Sequence, residues 1–503
     1  MNKNKAFLIS LIATSGVAIG FSALSYKKHK EQKKIASYQK KKKKNKTIPL
    51  RRTKFIRDLA TKRVNLVLSA LQKRNPNEQE YLQYVSVVTR SLTPLLMKDL
   101  KYVEALERLI EPERVFTFRV AWADDNGIKH INRGYRVQFS SSIGPYKGGI
   151  RFDPKMNLSI MKSLAFEQTM KNSLTALPMG GAMGGADFDP KGKSDNEVKN
   201  FCHAFIAELY KIIGPNCDIP GPDINVGTRE IGYMYGMYRK LTSQTNGTLT
   251  GKRYNWGGSR VRTEATGYGL VYFLEYMLHD NNIPLEGRRI TISGSGPVAQ
   301  FAVEKLIERG AIPLTMSDSD GFIYARNGIT LEMLKKIMYL KNVERGRLEE
   351  LSKIVEYHGD KQRPWVVPCE IALPCAYHNE IRRKDALNLI QNGCIAVAEG
   401  SNISSAPNAL KLFKQHNLLY APGKAANAGG VAISGLEMSQ NSIKLKMDPQ
   451  DIKMGLKGII YNIFEACRTA AQQFGDNDFD YSSGANIAAF LKLANCLFDE
   501  GII

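Results

Sequence analysis

The sequence predicts an α/β protein of two globular domains, on three observations. At 503 residues the chain is too long to close around a single hydrophobic core. A short β-branched run at 289–293 passes directly into Gly294-Ser295-Gly296-Pro297-Val298-Ala299 and a helical pattern reaching Leu306. That is the strand–turn–helix setting in which glycines let a backbone approach a dinucleotide pyrophosphate. Upstream, β-branched and aromatic runs at 115–122 and 135–139 lie among amphipathic helical patterns, which reads as a separate mixed α/β unit.

Taken in order, residues 1–57 read as a targeting leader. A short basic start is followed by an apolar stretch to Tyr26, small residues at Ala23-Leu24-Ser25, and a lysine-rich segment with the run Lys40 to Lys44. This is the order of a signal peptide followed by a transit peptide. It resembles the two-part leaders of plastids of secondary origin. Mitochondrial import, or an uncleaved membrane anchor, is the alternative. The leader holds 17 Lys/Arg against one acid, Glu31, and so carries +16 of the net +23. The folded body is left only mildly basic, and no nucleic-acid partner is implied. Seven dispersed cysteines and seven unclustered histidines predict reduced thiols and no metal site.

Residues 58–255 read as the first domain. Val64, Val67, Leu68 and Leu71 share one helical face, stopped at Asn75-Pro76-Asn77. Further amphipathic helix follows over 81–109. The two strand runs flank the hairpin turn Asp124-Asp125-Asn126-Gly127, and the second leads into the loop carrying Lys147. From there to Asp223 the chain alternates lysines with close-approach glycines and ends on a carboxylate. That composition suits a small dianion held against backbone. The second domain is expected over 256–435. Its second strand, 312–316, runs into the ribose-reading turn Ser317-Asp318-Ser319-Asp320-Gly321. Residues 436–503 read as terminal helices.

Long words carry a family resemblance over residues 60–503. They include Asn132-Arg133-Gly134-Tyr135-Arg136-Val137-Gln138-Phe139, Gly148-Gly149-Ile150-Arg151-Phe152, Asp187-Phe188-Asp189-Pro190-Lys191-Gly192-Lys193-Ser194 and Arg229-Glu230-Ile231-Gly232-Tyr233-Met234-Tyr235-Gly236. These resemble the hexameric glutamate dehydrogenases of the Glu/Leu/Phe/Val dehydrogenase superfamily, NADP-type branch. The resemblance implies a substrate and oligomerisation domain, a Rossmann-type domain, and C-terminal helices returning across the junction. It implies reversible oxidative deamination of glutamate to 2-oxoglutarate and ammonia with NADP, NAD being the alternative because Asp320 would repel a 2′-phosphate. A homo-hexamer is implied.

By the same resemblance Lys147 and Ser434 meet the distal carboxylate, Gln168 and Lys171 the main carboxylate, and Asp223 exchanges protons with nitrogen. Thr266, Gly294, Ser295, Gly296, Pro297, Val298, Asp318, Asn402 and Asn427 fall at cofactor positions. Position 183 is a lysine in that pattern, polarising the carbonyl. Here it is Met183, which cannot titrate. Pro222, Asn225, Thr263, Pro297 and Tyr377-His378 also depart from the family words. The loss of the lysine leaves a second reading, a catalytically silent subunit of mixed hexamers.

Overall fold

The computed structural model describes residues 50–475 and 477–501. The expected leader cleavage and anchor regions lie outside the described residues, apart from the start of the helix Leu50–Arg74. Everything that follows lies in the compact unit beginning at Arg63. Among the described residues, no helix is long and apolar enough to cross a membrane.

The first sheet has the order β1-β2-β4-β3-β5, with β1 Arg114–Ala123, β2 Lys129–Ser140, β3 Tyr146–Phe152, β4 Gly181–Ala186 and β5 Asp218–Pro222. The β1–β2 hairpin closes as expected: the Asp124 carboxylate accepts from the Asn126 and Ile128 amides, and Gly127 supplies φ +77°. Strands β3, β4 and β5 are parallel to one another, whereas β2 meets β4 antiparallel. One face of this sheet packs an aromatic core of Trp122, Phe152, Phe188, Phe201 and Phe205 beneath the helix Asp195–Leu209. That helix is secured by a capping box between Ser194 and Glu197. The other face carries the helix Leu158–Leu174, started by Asn157, whose side chain accepts from the Ile160 amide.

The second sheet is all parallel, order β13-β12-β11-β6-β7, with β6 Arg289–Ile292, β7 Ile312–Pro313, β11 Ile371–Leu373, β12 Ala396–Ala398 and β13 Leu419–Ala421. The strand expected at 312–316 divides. Pro313 sits on the outer edge of the sheet, where its missing N–H costs no bond to β6. Leu314 donates to Ile290 while accepting from Ala325, so Thr315–Ser317 turns into a small antiparallel sheet with Phe322–Tyr324 and Glu356–His358. The helical region expected at 81–109 also divides, into Gln79–Ser91, Thr93–Leu96 and Lys101–Leu109.

The last two helices are Pro449–Phe474 and Tyr481–Glu500. The final one lies against first-sheet elements. Asn486 donates to Ser91 (2.9 Å), Ser173 to the Ala489 carbonyl (3.4 Å) and Arg108 to the Leu497 carbonyl (3.1 Å).

Candidate active site

Strand alternation decides what faces the helix Leu158–Leu174. Side chains two apart share a face, so Lys147, Gly149 and Arg151 of β3 point the same way. The β3–β4 register pairs Arg151 with Gly185, which puts Met183 next to Gly149 on that face. The β3–β5 register sets Gly221 on the other side of Gly149. A Cβ on Gly149 would lie 2.6 Å from the Cβ of Asp223, and one on Gly221 would lie 2.8 Å from Lys147 Nζ. The glycines are therefore gaps into which Lys147 and Asp223 fit, and Met183 borders the same gap.

Lys147 is 2% exposed, and among the described residues no carboxylate lies within ion-pair distance of it. Burial, with Arg262 and Arg136 nearby and only partial offset from Glu437 and Asp218, brings its ammonium down to about 7. Asp223 receives Arg151 Nε at 2.6 Å. Asn225, two residues on, has φ +58° and donates to the Phe152 carbonyl. That backbone explains the glycine expected there and why asparagine, tolerant of the left-handed region, serves instead. On the far face of the sheet the fully buried Arg136 and Asp218 pair, Asp218 also accepting from Gln138 (2.9 Å).

Lys171 donates to Asn402 Oδ1 at 2.6 Å, and Asn427 donates to the same oxygen at 3.0 Å. One expected anion anchor and two expected cofactor residues thus form a single chain of bonds across the two sheets' domains. Ser434 accepts from Arg262 Nε at 3.1 Å and donates to the Gly430 carbonyl. Thr266 joins this group, since a Cβ on Gly430 would meet Thr266 Oγ1 at 2.5 Å and Arg262 Nη1 at 3.3 Å. Val261 and Ile403, neighbours of Arg262 and Asn402, are β-branched residues at φ +65° and +51°. Such strain persists where surrounding packing holds it, commonly at functional sites.

Two expected residues are engaged elsewhere. Gln168 donates to Asn172 Oδ1 (2.7 Å), bracing the side chain that in turn donates to the Lys147 carbonyl (3.0 Å). It positions the anchors and makes no direct bond to Lys171. The Asp318 carboxylate accepts from the Asp320 and Leu348 amides, with Lys341 Nζ at 3.6 Å. It builds the turn; the more exposed Ser319, Asp320 and Arg347 lie beside it, with Arg347 donating to Ser319 at 2.8 Å and reaching Asp320 at 3.3 Å.

The glycine turn is as expected. Gly294 takes φ +82°, its amide donates to Ser317 Oγ, and a Cβ there would crowd the Cys375 carbonyl. Gly296 precedes the helix Pro297–Glu308, which has no side-chain cap, and a Cβ on Gly296 would meet nothing within 4 Å. Ser295 is turned inward, its carbonyl accepting from Gln300 (2.7 Å), while Val298 follows Pro297 in the first helical turn. The uncapped N-terminus beside open space fits a phosphate-bearing dinucleotide.

Sequence reading missed Arg151, Arg262, Glu167 and the Lys341–Arg347 pair. Period-two alternation from Lys147 through Gly149 would have found Arg151. Arg262 gave no local signal beyond its proximity to Thr266. Among the described residues there is no cluster of three or more metal-ligating side chains.

A five-stranded sheet with buried ammonium groups over its glycines, followed by a parallel five-stranded sheet with a glycine turn, fits the class of two-domain dinucleotide-dependent dehydrogenases. Residues 257–501 match the family model Glutamate/Leucine/Phenylalanine/Valine dehydrogenase, and residues 112–240 match Glu/Leu/Phe/Val dehydrogenase, dimerisation domain. The chain belongs to this family. It is 48% identical over 444 residues to the NADP-specific glutamate dehydrogenase of Giardia intestinalis, covering 87% of this chain and 98% of that one. It is 49% identical over 442 residues to the NADP-specific glutamate dehydrogenase of Escherichia coli strain K12, covering 87% and 98%. A crystal structure of Plasmodium falciparum glutamate dehydrogenase superposes with TM-score 0.87 at 50% identity, covering 89% of this chain and 96% of that one.

Proposed function

We infer that the protein is a glutamate dehydrogenase that uses NADP, interconverting glutamate with 2-oxoglutarate and ammonia. The observation that carries this reading is the grouping of Lys147, Asp223 and Met183 around Gly149, with Lys171 bonded to the cofactor-side Asn402. Lys147, Arg262 and Ser434 hold the distal carboxylate; Lys171, oriented by its bond to Asn402, holds the main carboxylate with Gln168 beside it. Asp223, held in place by Arg151, takes the proton from the substrate nitrogen and returns it in the reverse direction.

Gly294, Gly296 and the N-terminus of Pro297–Glu308 would hold the dinucleotide phosphates, and Thr266, Asn402 and Asn427 its nicotinamide end. Bound NADP supplies the hydride acceptor. Lys341, facing Asp318, and Arg347, bonded to Ser319, favour a 2′-phosphate and offset the repulsion from Asp320.

Met183 replaces a proton-carrying group with a thioether, so the chemical step proceeds without that acid. General acid–base help is worth about 10²- to 10⁴-fold, and turnover is slowed on that order. The same buried methionine favours a second reading, a silent subunit that binds cofactor within mixed hexamers. The chain is proposed to assemble as a hexamer and to be carried into an organelle by its leader. Steady-state kinetics of the purified chain with glutamate and NADP or NAD test the enzyme reading. Measurable NADP reduction supports it. No turnover, together with co-purification of an active relative, transfers the assignment to the second reading.

A further inference from the structure

The helix Leu158–Leu174 places Glu167 and Lys171 four residues apart, on one face and on adjacent turns. Both are buried, at 2% and 6% exposure. Glu167 Oε2 has no hydrogen-bond partner, so this is a buried carboxyl group with an oxygen free to respond to charge. Two buried ammonium groups lie nearby, and each is bonded to a neutral amide oxygen. Lys171 donates to Asn402, and Lys424 of the short helix Gly423–Ala426 donates to Asn486. The other charges facing Glu167 are Arg151 of β3 and Asp223 beyond β5. Those two are joined at 2.6 Å and largely cancel. Tyr84 of Gln79–Ser91 and Tyr420 of β13 complete the surroundings, and burial with neighbouring carboxylates keeps both phenols protonated. Glu399 faces Lys424 from beyond β12.

With Arg151 engaged by Asp223, Glu167 is the carboxylate that Lys171 and Lys424 share, Glu399 acting on Lys424 less strongly. Of the two ammonium groups, Lys171 is the one on Glu167's own helical face. We propose that Glu167 is a positioning residue that keeps Lys171 charged in its desolvated seat, so that Lys171 can receive the main carboxylate of the substrate. The substrate part of this statement rests on the glutamate dehydrogenase reading; the link between the two side chains does not. Met183 raises its importance, because position 183 offers no ammonium group to compensate for a neutral Lys171. The directions of the shifts agree. Burial pushes Lys171 down, with Glu167 the largest opposing influence, while burial pushes Glu167 up, with Lys171 the largest opposing influence.

Competitive labelling of the full chain with acetic anhydride, read at the Lys171 peptide by mass spectrometry across pH 6–10, measures the Lys171 midpoint without any substrate. Glu167→Gln is expected to lower the midpoint by about one pH unit, a tenfold gain in labelling at fixed pH below it. Glu167→Asp keeps the charge but draws it back by one methylene. It is expected to lower the midpoint by less, and it gives the reading should the glutamine variant not fold. A midpoint unchanged or raised in the folded variants overturns the proposal. A lowered midpoint in the variant, beside a wild type that fails to bind 2-oxoglutarate, upholds the Glu167–Lys171 link while removing the enzyme reading.

Discussion

Lys147 makes the binding of a dicarboxylate depend on pH in a range where such an effect is easily measured. Its ammonium group is buried over Gly221, has Arg262 and Arg136 as neighbours, and titrates at about 7 instead of near the usual lysine value. Both carboxylates of 2-oxoglutarate are ionised throughout the neutral range, so the ligand binds the charged form of Lys147 and raises its pKa. The sign follows from linkage: affinity is complete below pH 7 and falls as pH rises through it. The charged fraction is about one half at the midpoint and about one hundredth two units above it, so affinity should drop roughly 50-fold between pH 7 and pH 9. Isothermal titration of 2-oxoglutarate into the full chain, in the presence of NADPH, measures this without requiring turnover. Glu380 also titrates at about 7, through burial, so the control is Lys147→Met. That variant should bind weakly at pH 6 and show little further loss to pH 9. A flat profile in the wild type, or an unchanged slope in Lys147→Met, would refute the reasoning.

Further outcomes follow from the same geometry. Met183→Lys should raise kcat by about 10²- to 10⁴-fold in glutamate-dependent NADP reduction, and an unchanged rate would remove the explanation of slow turnover. Replacing both Lys341 and Arg347 with alanine should lower kcat/KM for NADP by about 10- to 100-fold, the worth of one or two charge-assisted hydrogen bonds. The rate with NAD should stay level; equal losses with both cofactors would show that the pair does not read the phosphate. Arg136→Leu strands Asp218 as a buried, unpaired charge, and urea unfolding should register a loss of about 3–5 kcal/mol. Gly148→Ala should yield little folded protein, because its Cβ would run into the Ala182 carbonyl oxygen of the next strand.

Much of the fold was legible because its signals are local. Alternation of β-branched and aromatic residues marked β1 and the buried half of β2, and Asp124 with Gly127 fixed the turn between them. The glycine turn was readable because a strand, two close-approach glycines and a helix start are adjacent in the chain. The 312–316 region was misread for a reason that is partly local and partly not. Pro313 marks an edge strand without breaking its bonds to β6, and the partners that draw Leu314 and Thr315 apart come from Ile290 and Ala325.

At the site, residue identity came from the sequence while residue partnership did not. The lysines, the aspartate and the missing ammonium at Met183 are fixed by the chain itself, since side-chain chemistry needs no neighbour to be known. That Arg151 sits on Asp223, that Lys171 reaches Asn402 across 231 positions, and that Arg262 meets Ser434 across 172 were decided only on folding. The physical reason is that desolvation and charge pairing act through space. Lys147 falls to about 7 because strand register and a glycine gap enclose it among guanidinium groups, and no local stretch of sequence encodes that enclosure.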